Sequence, residues 1–220
     1  MTRMLPAMFL GTLLAVAVAM PAAASDTDKV NGDIHVASGQ TVGDVSTVNG
    51  DIRIDSGATV DEAETVNGAI ALADKASARS LETVNGSVSL GSGARVARTV
   101  EAVNGGITLE RGADVAGKAS NVNGSIRLDG AHVGGGLETV AGDIEVGANS
   151  RVEGGILVDK PNNGWFHFGT SRTPRIVIGP GAVVQGTLEF RRDVDLYVSD
   201  RATIGAVKGA TVHKFSGDQP

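Results

Sequence analysis

Apolar residues recur at every sixth position along most of this chain. From Val30 the row runs through Val36, Val42, Val48, Ile54, Val60, Val66, Leu72, Ala78, Val84, Leu90 and Val96. One inserted residue resets it to Val103, Leu109 and Val115, and another to Val122 and Leu128. It then resumes over Val140, Val146, Val152 and Val158. An α-helix turns about 100° per residue, so a step of six leaves side chains roughly 120° out of phase, and no helical face can hold the row. Short strands joined by regular bends can.

A longer repeat lies over this one. Asn-Gly pairs begin at Asn31, Asn49, Asn67, Asn85, Asn104 and Asn123, and Ala141-Gly142 is a degenerate further copy. Each pair is followed by an alternating apolar doublet: Ile34/Val36, Ile52/Ile54, Ile70/Leu72, Val88/Leu90, Ile107/Leu109, Ile126/Leu128 and Ile144/Val146. A period of two places both members on one face of a strand. The two periods together predict an all-β fold, a three-sided parallel β-solenoid (β-helix) with about 18 residues per triangular coil. Triangular coils of both hands exist, and right-handed winding is expected over left-handed. Coils stack at about 4.8 Å, and one coil cannot bury its apolar face alone, so the unit must repeat.

The phrase Val-Asn-Gly is expected at a corner, because Asn and Gly tolerate the positive φ of a tight bend. Stacked corners would align Asn31, Asn49, Asn67, Asn85, Asn104 and Asn123 into a hydrogen-bonded amide ladder. The valine before each Asn belongs to the six-residue row and is expected inside. Thr47, Thr65, Thr83 and Thr139 are expected outside, in a column broken at Ala102 and Asn121.

The row breaks at "DKPNNGWFHFGTSRTPR" and resumes at Ile178, Val184, Phe190 and Leu196 before shifting to Val198 and Ile204. This divides the chain into solenoid repeats over 25–159, an extruded aromatic loop over 160–174, further coils over 175–207 and a tail over 208–220. The aromatics Trp165, Phe166, Phe168, Phe190, Tyr197 and Phe215 all follow residue 160. Within the loop, Trp165, Phe166 and Phe168 are candidates for contact with a partner, since exposed rings make anchors; packing of the loop onto the solenoid is the plainer expectation.

Residues 1–24 hold a positive charge at Arg3, an apolar stretch and an Ala22-x-Ala24 ending. They read as a secretory signal peptide cut after Ala24, and periplasmic localisation is expected over the cell surface or secretion. The chain has no cysteine, so neither disulfides nor Cys-linked lipid contribute. Its formal net charge is −6 with no basic block, which leaves nucleic acid without a binding surface. The histidines His35, His132, His167 and His213 have no metal-ligand spacing, and no nucleophile elbow or nucleotide loop is present. No enzymatic activity and no cofactor are expected. Outward positions such as Asp51/Arg53, Ser87/Ser89 and Asp143/Glu145 are mixed and read as solvated faces.

The recurring V-N-G-[DSAG]-[IV]-x-[VIL] phrase resembles bacterial β-strand-repeat families of adhesin type. The stretch "RIVIGPGAVVQGTLEF", residues 175–190, is similar to repeats of bactofilins, the polymer-forming cytoskeletal proteins. The second resemblance implies a right-handed solenoid that polymerises end to end without nucleotide or metal. An export signal departs from the cytoplasmic setting of bactofilins. The expectations are therefore a structural or self-assembling envelope protein, pairing with itself through its N-terminal coil and ending in an aromatic-bearing C-terminal cap. The alternative is an adhesin-like module that displays the Trp165–Phe168 loop to an envelope or surface component.

Overall fold

The structure is a computed structural model that describes residues 25–161 and 172–220. The segment read as a signal peptide, and Trp165, Phe166 and Phe168, lie outside these residues. The described chain winds as a parallel β-solenoid of three sheets. The first has ten strands, from Thr27–Asn31 and Val45–Asn49 to Val207–Lys208. The third also has ten, from Ile34–Val36 to Val212–Phe215. The second consists of seven short strands, from Ser77–Ala78 to Thr203–Ile204. Bridges from Thr41 to Thr59 and from Thr59 to Ser77 carry it into the earlier coils.

Register is parallel throughout and steps by one coil. Val45 faces Ala63, Leu81 faces Val100, and Ile52 faces Ile70. Asn ladder partners are separated by 18 or 19 residues. The extra residue falls at the bend between the second and first sheets, where Ala97-Arg98-Thr99 replaces a pair such as Arg79-Ser80. Insertions at bends leave the inward registers intact, so the core continues unbroken. Each middle coil contributes the same interior set, for example Val45, Thr47, Ile52, Ile54, Ala58 and Val60, all buried. After the segment that begins at Lys160, pairing resumes with Ile176 on Ile144 and Leu188 on Ile156.

The bend between the third and second sheets is where a left-handed backbone is required. Gly57 has φ of 70°, and the Ala58 amide donates to the Asp55 carbonyl at 3.0 Å to close the turn. Lys75 and Asn149 occupy the same bend with φ of 58° and 57°. The glycine of Val-Asn-Gly serves another purpose. A Cβ on Gly68 would lie 1.9 Å from the Gly50 carbonyl oxygen, and one on Gly86 would lie 1.8 Å from that of Gly68. Gly50, Gly68, Gly86 and Gly105 are needed because successive coils touch backbone to backbone, so the expectation of positive φ holds only at Gly32 and Gly124, with φ of 112° and 125°.

The six-residue row is also corrected. Only two of its every three positions enter the core. Val30, Val48, Val66, Val103 and Val122 point out, while Thr47, Thr65, Thr83 and Thr139 are buried. Four residues separate Thr47 from the next inward residue, Ile52, so the Val-Asn-Gly bend is longer than its neighbours and shifts the phase. Threonine is preferred inside because its hydroxyl can bond a backbone carbonyl that valine would leave unpaired.

The chain past 207 is not a tail. Val212–Phe215 pairs with Asp195–Ser199 and completes the third sheet. Among the described residues past 207 no separate aromatic cap forms. Phe190 is buried in the core, and Ile204, Val207 and Val212 continue the inward rows half-covered.

Candidate functional site

At the Val-Asn-Gly corner the six asparagines stack in a column. Each Nδ2 donates to the Oδ1 of the coil before it, from Asn49 on Asn31 at 2.9 Å to Asn123 on Asn104 at 3.0 Å. Behind this ladder runs a second rail. The Oγ1 of Thr47, Thr65 and Thr83 donates to the carbonyls of Gly32, Gly50 and Gly68 at 3.2, 3.0 and 3.0 Å. Asn121 takes the same place with Nδ2 on the Gly105 carbonyl at 3.2 Å, but its buried Oδ1 has no partner. Side-chain amides and hydroxyls consumed in this way hold coils together and have little left for a ligand.

The outer surfaces of the three sheets differ in charge. On the third sheet, outward residues change type from coil to coil: His35, Arg53, Ala71, Ser89, Thr108, Arg127 and Glu145. Arg127 pairs with Glu145 at 3.0 Å. Further along, the Arg175 guanidinium lies 5.2 Å from the centre of the Tyr197 ring, which packs tilted against His213. Arg175 also reaches the Pro220 carbonyl, so the end of the described chain folds back along this face.

The second sheet carries an alternating charge ladder. His132 Nδ1 sits 2.5 Å from Asp114 Oδ1, and its Nε2 lies 3.6 Å from Glu153. Arg151 bonds Glu153 at 3.1 Å, and this bond is the main reason the Glu153 carboxyl is held below its ordinary pKa.

The first sheet is different. Register aligns Glu64, Glu82 and Glu101 in successive coils, with no opposite charge between them. At strand spacing their backbones stand about 4.8 Å apart, where like charges in register destabilise a ladder. No cation pairs with any of the three among the described residues. Lys118 answers Glu138 at 2.7 Å, and Arg79 answers Asp61 and Glu62 at 2.7 and 3.3 Å. The Glu64 carboxyl is pushed above its ordinary pKa, first by lost hydration and then by Glu82, Glu62 and Asp44. Two residues along each strand comes the outward valine: Val66 after Glu64, Val103 after Glu101. Two shallow hollows open on this face. One, about 310 Å³, is lined by Asp26, Asp28, Asp44, Ser46, Glu62 and Glu64. The other, about 170 Å³, lies among Glu82, Glu101, Val103, Val122 and the Lys118–Glu138 pair.

The acidic column went unread at the sequence level, although its signal is the Glu of "ETVNG", "ETVNG" and "EAVNG" at 64, 82 and 101. Among the described residues no group of three or more His, Asp or Glu side chains is arranged to hold a metal ion. No described helix is long and apolar enough to cross a membrane.

The two ends of the described solenoid share one feature. Lys29 registers with Thr47, and Lys214 registers with Val198. In the coils between, these rows are filled by buried residues, including Thr65, Thr83 and Val158 in one and Ile54, Leu90 and Ile178 in the other. Each terminal coil thus carries a lysine at a position that elsewhere points into the core, and both lysines are exposed.

Comparison with protein-family models, with curated proteins and with solved structures finds no match to this chain.

Proposed function

We propose that this protein is a non-enzymatic, exported structural rod of the cell envelope, held in the periplasm, which acts through its long faces. The observation that carries this reading is the pair of inward-register lysines, Lys29 and Lys214. End-to-end stacking would enclose the Lys214 ammonium in an apolar row and the Lys29 ammonium, which donates to the Asp33 carbonyl, in the threonine row, each without a counter-charge, and burying an unpaired charge is costly. Inward-pointing charge is a recognised way to blunt a strand edge against further pairing. The end-to-end polymer implied by the bactofilin resemblance therefore gives way to a discrete rod of ten strands per long sheet, about 45 Å at strand spacing.

The test is negative-stain microscopy with sedimentation velocity on the exported chain across a concentration series, together with cell fractionation. Single short rods in the periplasmic fraction are expected, and the intact mass should begin at Ser25. Fibres that lengthen with concentration would overturn the discrete rod. Labelling of the protein on the surface of intact cells would favour the adhesin-type reading implied by the V-N-G repeats, with the Trp165–Phe168 loop as its contact.

A further inference from the structure

We propose that the outer face of the first sheet is a docking surface for a cationic amphipathic helix of another protein. This rests on the reading of the chain as a rod that acts through its long faces. Three observations converge. The large apolar side chains most exposed among the described residues, Val30, Val48, Val66, Val103 and Val122, all lie in one column of this face, with exposures from 36% to 69%. Next to that column stand Glu64, Glu82 and Glu101, stacked with no ion pair to any of them among the described residues, the nearby Lys118 being engaged by Glu138. The other two faces break up their charges, as in Arg127–Glu145 and Asp114–His132–Glu153–Arg151.

The plain explanation for each valine is β-propensity, but threonine would serve an outward strand position as well without exposing apolar surface. Three like charges in register work against the fold. A strip that is apolar on one side and in excess of acid on the other is complementary to a partner with a basic row beside an apolar row.

The geometry selects a helix. The two columns are parallel to the rod axis and two residues apart along each strand, about 6.6 Å. A strand laid along the rod offers a single row of side chains toward it, because alternate residues face away. An α-helix laid along the rod offers two adjacent rows through its i, i+3 and i+4 neighbours. From Val30 to Val122 the strip rises five coil steps, roughly 24 Å, which a helix of about 16 residues spans.

The test uses the exported full-length chain and a labelled synthetic 18-residue helix with lysines on one flank and leucines on the adjacent flank. Its controls are a scrambled peptide of the same composition and an oligolysine, all read by fluorescence anisotropy. The designed helix is expected to bind at least tenfold more tightly than either control. Val66→Ser with Val103→Ser, and separately Glu64→Gln with Glu82→Gln and Glu101→Gln, should each weaken it at least tenfold. Both variants alter exposed or half-exposed side chains, and the glutamine variant should melt higher than the parent while binding less, an outcome misfolding cannot produce. Equal binding of the controls, or indifference to the valine changes, would reduce the face to unspecific attraction of polycations and overturn the proposal. Absence of binding would overturn it too. Single rods in microscopy alongside either failure leave the rod reading standing, whereas fibres would remove that reading whatever the peptide does.

Discussion

Thr65 Oγ1 donates to the Gly50 carbonyl at 3.0 Å, and the next coil repeats the bond with Thr83 and Gly68. The donor lies inside the corner and is 3% exposed, while Val66, the next residue, is 41% exposed. A hydroxyl is therefore chosen for the interior and a hydrocarbon for the surface. Thr83→Val keeps the shape but leaves the Gly68 carbonyl without this donor, and is expected to cost about 1–3 kcal/mol in urea unfolding. The mirror change Val66→Thr should move stability by less than about 0.5 kcal/mol, as surface substitutions do.

Asn121 is the irregular member of the same rail. Its Nδ2 reaches Gly105, but its Oδ1 is buried without a partner. Asn121→Thr would restore the hydroxyl-to-carbonyl bond and remove the unpaired oxygen. The variant is expected to be more stable by about 1 kcal/mol, read as a raised denaturation midpoint with unchanged slope.

Two glycines separate two kinds of constraint. At Gly68 a methyl group would lie 1.9 Å from a backbone oxygen of the coil below, with no flexible side chain to move aside. Gly68→Ala is expected to cost more than about 4 kcal/mol and to show as loss of soluble protein or a collapsed melting temperature. Gly57 has φ of 70° and open space around its Cβ position. Gly57→Ala should cost only about 1–2 kcal/mol, and Gly57→Asn less, because asparagine tolerates that backbone.

The raised pKa of Glu64 fixes the sign of one pH effect. Its carboxyl binds a proton more readily in the fold than in the unfolded chain, so its ionisation weakens the fold as pH rises through the raised value. Stability from this group is recovered as pH falls toward the ordinary value of 4.5. Glu153 runs the other way, since its lowered pKa contributes stability that is lost as pH falls. Glu64→Gln is expected to raise stability at pH 7 by about 0.2–1 kcal/mol, the scale of one cross-strand pair, and to flatten the melting-temperature profile between pH 7 and 4.5. A profile identical to that of the parent would contradict the assignment.

The lysines at the two ends are expected to keep rods apart. Lys29→Thr combined with Lys214→Ile would extend the buried threonine row at one exposed edge and the apolar row at the other. This double variant should form fibres or end-to-end oligomers at concentrations where the parent sediments as one species. Continued single rods would show that the lysines are not what blunts the edges.

The architecture is written in the periodicity of the chain. A six-residue step is incompatible with a helix, and the 18-residue return of Val-Asn-Gly sets the coil and the asparagine column. Both follow from periodicity, which a parallel in-register stack preserves from chain to space. Which side of the wall a residue faces was decided only by the tertiary structure. Val48 and Thr47 have nearly the same shape and adjacent positions, and the longer bend at Asn49-Gly50 turns the hydroxyl inward and the hydrocarbon outward. Hydrophobicity alone assigns that pair the wrong way round, because it does not register that the Gly32 carbonyl at the corner needs a donor. For the same reason the acidic face was spelled out in the repeated Glu-x-Val-Asn-Gly but could not be read as a face. Three glutamates 18 or 19 residues apart become neighbours only when coils stack, and their repulsion exists only at that distance.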